Sequence, residues 1–190
     1  MKELYERIHV LSEEPSKYSS PNEVIDLPFP SVNQIPPCFS LLNERKVAYM
    51  GRECFHRIWE IFQIVENNPH QCQAIFLFGG KGFGKSYILA ALACLLVCRG
   101  TQVVYLPDCH AWLFDPFRYL KNALIFAFVK SEPSFREDIL DCKNIESLAN
   151  FCVQYRNMGQ LCFIIDQLLS TPTTTAANDN NTNNGCGCSC

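Results

Sequence analysis

Apolar residues recur at helical spacing in several stretches of the chain. Across 52–66 they return every three or four positions, which predicts a helix with one buried face. Residues 85–99 are apolar nearly all round, which is typical of a helix packed on both sides, and Gly100 is a natural stop after it. The same reasoning predicts a short helix within 1–11 and further helices over 117–130, from Pro133 onward and over 145–156.

Short continuous apolar runs lie between these helices and predict buried strands. They cover residues 74–78, 103–106 and 161–165. Strands that alternate with helices favour a parallel sheet with helices on its faces. The predicted fold class is therefore α/β.

The two ends of the chain differ from this middle part. Residues 12–37 contain six of the 11 prolines, which indicates an extended linker or an arm on the domain surface. Residues 171–184 are almost entirely Thr, Ala and Asn, so we expect a disordered tail. We therefore divide the chain into an N-terminal arm (1–37), one domain (38–169) and a tail (170–190).

The tail closes with three cysteines, and three interpretations of them stay open. They suggest metal binding, lipidation or, as the favoured interpretation, a low-complexity end without specific chemistry: Cys186, Cys188 and Cys190.

Composition restricts the classes of binding partner and the cellular location expected for this chain. The 190 residues carry a net charge of −3, which gives no evidence for nucleic-acid binding driven by bulk charge. The longest apolar run, 87–98, is too short to span a bilayer, and no secretory signal is visible at the N-terminus. We therefore expect an intracellular, reducing setting. Of the 12 cysteines, Cys94, Cys98 and Cys162 lie in apolar elements, where we expect small buried side chains rather than disulfides.

A complete P-loop pattern lies between the first predicted strand and the all-apolar helix. Its glycines allow backbone N–H groups to surround phosphate oxygens, and the helix N-terminus adds a positive dipole end. We expect Lys85 to reach the β- and γ-phosphates and the Ser86 hydroxyl to bind Mg²⁺. A glycine-rich turn without a ligand is the plainer alternative. The predicted cofactors are a nucleoside triphosphate, ATP, and Mg²⁺, held by Gly79, Gly80, Lys81, Gly82, Phe83, Gly84, Lys85 and Ser86.

A second acidic site should complete the metal contact. Asp166 ends an apolar strand, as the Walker B carboxylate does, and becomes the second candidate Mg²⁺ ligand. Gln167 follows where many ATPases place a Glu that polarises water, so Asp166 and Gln167 form the candidate catalytic pair. A neutral amide orients water but accepts no proton, which makes binding a safer prediction than turnover. We expect Asp108 to cap a loop rather than to act near the γ-phosphate.

Several segments together resemble the NTPase region of Crinkler-family proteins, which are similar to the AAA/STAND branch of P-loop NTPases. The resemblance covers about residues 38–169. It rests on Tyr49-Met50-Gly51-Arg52-Glu53, the segment 76–86, Val103-Val104-Tyr105-Leu106-Pro107-Asp108-Cys109, Arg118-Tyr119-Leu120 and Phe163-Ile164-Ile165-Asp166-Gln167.

This resemblance implies a P-loop NTPase-like three-layer sandwich with a mostly parallel sheet. It also implies that Gly51-Arg52-Glu53 lies near the base or ribose, and that the protein is a secreted effector acting in host nuclei. AAA-like sheets place a further strand, later in sequence than Walker B, beside the P-loop strand. Here the Thr/Asn tail begins just after Asp166, so we expect a truncated sheet, incomplete at the C-terminus, with an exposed edge.

Two further functions remain as alternatives. One is a non-catalytic interaction fragment that binds a protein partner, or itself, through the exposed sheet edge. The other is a small GTPase-like switch, although no Asn-Lys-x-Asp guanine motif is found. Whether the chain is an enzyme, with ATP hydrolysis as its reaction, stays open on these residues.

Overall fold

The computed structural model describes residues 1–39, 45–67, 74–80, 82–156 and 159–167. Within these ranges the chain is a mixed α/β protein. Its helices are α1 (Lys2–His9), α2 (Pro15–Ser19), α3 (Cys54–Glu66), α4 (Lys85–Cys98), α5 (Cys109–Phe114), α6 (Pro116–Ala127), α7 (Pro133–Asp141) and α8 (Ile145–Arg156). Its strands are β1 (Val24–Pro28), β2 (Lys46–Met50), β3 (Gln102–Leu106) and β4 (Leu161–Ile165).

The four strands form two separate pairs in the part of the chain that is described. β1 and β2 are antiparallel, with Asp26 opposite Ala48. β3 and β4 are parallel, with Val104 opposite Phe163. The parallel pair and the helices between its strands confirm the coarse α/β prediction, since parallel strands need a long connection.

Helices pack on both faces of β3, and successive side chains of this strand enter different cores because they alternate between its faces. Val103 and Tyr105 join the core around α4, whereas Val104 and Leu106 join the core formed with α6, α7 and α8. Helix α4 is buried all round from residue 90 to residue 98, as its uniform apolarity predicts. Its two cysteines, at positions 94 and 98, are buried free thiols, as expected.

The N-terminal arm is more ordered than a linker. Tyr18, Leu27 and Phe29 are fully buried, and residues 24–28 supply an entire strand. Proline-rich composition favours extended backbone, but it does not reveal that the apolar side chains between the prolines enter the core. The arm therefore forms part of the folded body.

The turn between β2 and α3 requires a glycine. A Cβ on Gly51 would lie 2.1 Å from the Ser20 carbonyl oxygen, which leaves no room for any side chain. Next to it, the Arg52 N–H donates to the Tyr18 carbonyl at 3.0 Å. The start of α3 is thereby fixed against α2.

Local sequence signals account for the corner between α5 and α6. The Asp108 carboxylate accepts from the N–H groups of His110 and Ala111, at 2.9 and 3.1 Å. Asp115 accepts from the Arg118 N–H at 3.0 Å, just before a proline in the first turn of α6. Asp108 therefore caps α5, a short helix, rather than the loop expected from the sequence.

The strand predicted over residues 74–78 is wrong. The described segment 74–80 forms neither strand nor helix, and Phe76 and Phe78 are 66% and 77% exposed. A short apolar run becomes a strand only where another strand supplies hydrogen-bond partners, and in the described chain β4 pairs with β3 alone.

No helix in the described ranges is both long enough and apolar enough to cross a membrane.

Candidate phosphate and magnesium site

The glycine-rich loop adopts backbone conformations that favour glycine and that leave N–H groups open to a ligand. Gly82 and Gly84 have φ values of 82° and 76°, in the left-handed region that favours glycine. Gly84 is the N-cap of α4, and it provides no side-chain cap for this helix. The N–H groups of the first turn are therefore available to an anion at the loop.

Lys85 turns back over the loop. Its Nζ donates to the carbonyl oxygens of Gly79 and Gly80, at 2.7 and 2.8 Å, close to the protein surface. A phosphate reaching this ammonium group would replace neutral acceptors by an anionic one, so that both partners of the hydrogen bond would carry charge. Lys81, the other predicted cation of the loop, lies outside the described residues.

The second half of the site lies at the carboxyl end of β4. Asp166 is 7% exposed, and its N–H donates to the Leu106 carbonyl at 3.0 Å. Oδ1 accepts from the Gln167 N–H at 2.8 Å, whereas the buried Oδ2 has no hydrogen-bond partner among the described residues. A buried carboxylate oxygen without a partner is costly, so the position favours a bound cation or donor.

Burial raises the pKa of Asp166, and groups from the start of α4 oppose that rise. The Ser86 side chain is close enough to stabilise the charged carboxylate, and the positive charge of Lys85 acts in the same direction. The negative charge of Asp108 adds to the rise in pKa. The structure thus brings Lys85, Ser86 and Asp166 to one place.

The oxygen atoms at this place suit Mg²⁺. Magnesium prefers oxygen ligands and uses one or two protein side chains together with phosphate oxygens and water. The Asp166 carboxylate and the Ser86 hydroxyl supply such oxygens. No cluster of three or more His, Cys, Asp or Glu side chains that could enclose a metal occurs among the residues described.

Gln167 is held in a strained conformation. Its φ of 60° is uncommon for a residue with a side chain, and such outliers cluster at functional sites. Its backbone N–H bonds Asp166, as above, and its Nε2 donates to the Cys38 Sγ at 3.1 Å. The residue therefore lies directly beside the carboxylate with which it was paired as a candidate catalytic group.

Arg52 also reaches the loop. It donates from Nη1 to the Phe83 carbonyl at 3.1 Å, and its guanidinium lies so close to Gly84 that a Cβ there would be 2.5 Å from Nη2. The φ of 76° favours glycine at position 84, and any side chain there would also displace the Arg52 guanidinium. The structure places Arg52 against the loop backbone, and the contact with a base or ribose that the resemblance implies stays a prediction.

Cys38 is the residue that sequence reasoning missed. Besides Gln167 it interacts with the Ser86 side chain, and partial desolvation of the thiol together with the negative charge of Asp166 raises its pKa. Nothing in the local sequence signals this position, since Cys38 directly follows the proline-rich arm and reaches Ser86 only through the tertiary fold.

No protein-family model, curated protein or solved structure matches this chain. A function for this chain is therefore inferred from the geometry of the site, the P-loop pattern and the strand that ends at Asp166.

Proposed function

We propose that the chain binds a nucleoside triphosphate, ATP, together with Mg²⁺, and that it hydrolyses the nucleotide weakly or not at all. The observation that carries the proposal is the buried Oδ2 of Asp166, which has no hydrogen-bond partner among the described residues and lies near Ser86 in the first turn of α4. A cation at Asp166 would relieve the cost of the buried carboxylate.

Each residue has a distinct role in this proposal. Backbone N–H groups from Gly80 to Ser86 surround the phosphates, and Lys85 neutralises the β- and γ-phosphate charge. Ser86 and Asp166 hold Mg²⁺, which supplies electrostatic stabilisation of the phosphates when bound. Gln167 orients water but accepts no proton, which is why turnover is expected to be slow.

The likeness to the Crinkler NTPase region is consistent with these roles. It extends the proposal to a P-loop sandwich and to an effector that is secreted and acts in host nuclei. These extensions depend on the resemblance, whereas nucleotide binding also depends on the geometry of the site.

Binding of labelled ATP to the purified chain, with and without Mg²⁺, tests the proposal. Lys85→Ala removes a charge-assisted contact worth about 1.5–3 kcal/mol, so affinity should fall roughly 10- to 150-fold. Lys143→Ala is the matched control, since it removes the same charge from the exposed connection between α7 and α8. The proposal fails if the folded wild-type chain ignores ATP in the presence of Mg²⁺, or if Lys85→Ala binds as the wild type does.

A second candidate function is favoured by one observation. Phe163 and Ile165 on β4 are 44% and 38% exposed, and Phe76 and Phe78 are more exposed still. One edge of β4 pairs with β3, and its other edge is unpaired in the described chain. Such an edge, together with exposed apolar side chains, favours the addition of a strand from another chain. Under this alternative the chain is a non-catalytic interaction module that binds a protein partner or a second copy.

Analytical ultracentrifugation tests self-association through this edge. If the alternative holds, the wild-type chain sediments as a dimer or larger species, Phe163→Lys dissociates it, and Lys85→Ala leaves it unchanged. A monomer at every concentration measured excludes a second copy as the partner.

Base selectivity distinguishes the remaining hypothesis of a small GTPase-like switch. If the site is an ATP site, unlabelled GTP should displace labelled ATP no better than unlabelled ATP does. A strong preference for GTP would favour the switch instead.

A further inference from the structure

The short segment that carries Cys38 is anchored next to the first turn of α4. Phe39 is buried, and its ring lies 5.0 Å from that of Tyr87 and 4.9 Å from that of Phe29, measured between centroids. The Phe39 N–H also donates to the Pro36 carbonyl at 3.1 Å, which closes a turn around Cys38. These contacts fix the Cys38 backbone relative to the phosphate site.

The Cys38 sulfur is a neighbour of the groups proposed to hold Mg²⁺. It accepts from the Gln167 amide at 3.1 Å and interacts with the Ser86 side chain. Asp166, whose buried Oδ2 has no partner in the described chain, is close enough for its charge to act on the thiol. The carboxylate oxygen without a partner, on a residue other than the cysteine, favours a ligand at this place.

Cys38 also differs from the core thiols in its access to solvent. It is an exposed residue, whereas Cys94, Cys98 and Cys142 are buried. Cys54, at the start of α3, is another exposed cysteine of the described chain. A small reagent can therefore reach Cys38 without unfolding the protein.

We propose that Cys38 is a modification site for low-molecular-weight disulfides, and that its mixed disulfide and the Mg²⁺–triphosphate exclude each other. This inference rests on the proposed function. A substituent on the Cys38 sulfur atom lies next to Gln167 and Ser86, within reach of the space beside Asp166. With glutathione as the substituent, its carboxylates also repel the phosphates.

The reaction is thiol–disulfide exchange. The Cys38 sulfur, after losing its proton, attacks one sulfur of glutathione disulfide. The new S–S bond forms as the S–S bond of the reagent breaks, and the released glutathione thiolate takes up a proton. One disulfide is consumed and one is formed, so no further oxidant is required.

The test uses the full chain as wild type, Cys38→Ser and Cys54→Ser. Each protein is measured for Mg²⁺–ATP binding when reduced, after treatment with glutathione disulfide, and after treatment followed by dithiothreitol, and peptide mass spectrometry locates the adducts. Treatment should weaken binding at least roughly tenfold in the wild type and in Cys54→Ser. Dithiothreitol should restore it, and Cys38→Ser should bind equally before and after treatment.

The reverse experiment measures protection. Mg²⁺–ATP should slow adduct formation at Cys38 by roughly tenfold or more and leave Cys54 unaffected, because nucleotide and adduct compete for one place. The inference is overturned if the adduct at Cys38 leaves affinity unchanged, if no adduct forms there, or if Cys38→Ser loses binding on treatment as the wild type does. Failure of the reduced wild type to bind Mg²⁺–ATP is a different result, since it overturns the proposed function itself.

Discussion

Three glycines of the phosphate loop differ in what an added side chain would meet, and single alanine substitutions separate these effects. A Cβ added to Gly80 would meet open space among the described residues, and its φ is not left-handed. Gly82 has similar space but a φ of 82°. Gly84 has a φ of 76°, and its Cβ would lie 2.5 Å from the Arg52 guanidinium.

The expected losses of stability follow this order. Gly80→Ala should be neutral or should stabilise by up to about 1 kcal/mol, because alanine restricts the unfolded chain. Gly82→Ala forces a side chain into the left-handed region, at a cost of about 1–2 kcal/mol. Gly84→Ala adds the displacement of Arg52 from the Phe83 carbonyl, a hydrogen bond worth about 0.5–1.5 kcal/mol. At about 2–4 °C per kcal/mol, the Gly84 variant should melt several degrees below the Gly80 variant.

Thermal and urea denaturation followed by circular dichroism measure the series, with the three variants compared under one set of conditions. Nucleotide is left out, so that a change in binding does not alter apparent stability. The reasoning is refuted if Gly80→Ala is as destabilising as Gly84→Ala, or if Gly84→Ala unfolds at the wild-type midpoint.

Three further predictions concern buried polar groups. Asp166→Asn should stabilise the ligand-free chain at neutral pH. Burial raises the pKa of the Asp166 carboxyl in the folded chain. The stability that the protonated carboxyl contributes is therefore fully present below its ordinary pKa of 3.8 and is lost as pH rises through the folded pKa. The difference in urea midpoint from wild type should shrink toward zero at acid pH, and a difference that is constant with pH would contradict the assignment. Tyr49→Phe removes a buried hydroxyl that donates to the Tyr18 carbonyl at 2.9 Å, so urea denaturation should show a loss of about 1 kcal/mol. Tyr105→Phe removes a buried hydroxyl without a partner in the described chain, so its melting temperature should equal or exceed that of wild type.

Periodicity and capping signals predicted most helices because these signals are local. The stretch 145–156 became α8 with the same limits, and Asp115 followed by proline marked the start of α6. The apolar run 103–106 became β3 with one added residue. Such elements depend on residues within one or two turns, so a single sequence contains the required information.

Elements and contacts that depend on distant residues were not predictable in the same way. The run 74–78 has the composition of a buried strand, yet in the structure it lacks strand pairing, and composition does not specify a partner strand. The approach of Ser86 to Asp166 could be expected because both lie in motifs of fixed geometry. Cys38 has no motif, and its position at the site depends on the packing of Phe39 against α4.

The N-terminal arm is synthesised first, but it reaches its final contacts late. Asn33 donates from Nδ2 to the Tyr119 carbonyl, 86 positions later in the chain, and Glu6 pairs with Lys130. These contacts cannot form until the distant residues have left the ribosome, and contacts of such long range slow folding. The first tens of residues, with their buried aromatic side chains, therefore wait without their final partners and are exposed to proteases and chaperones during that interval.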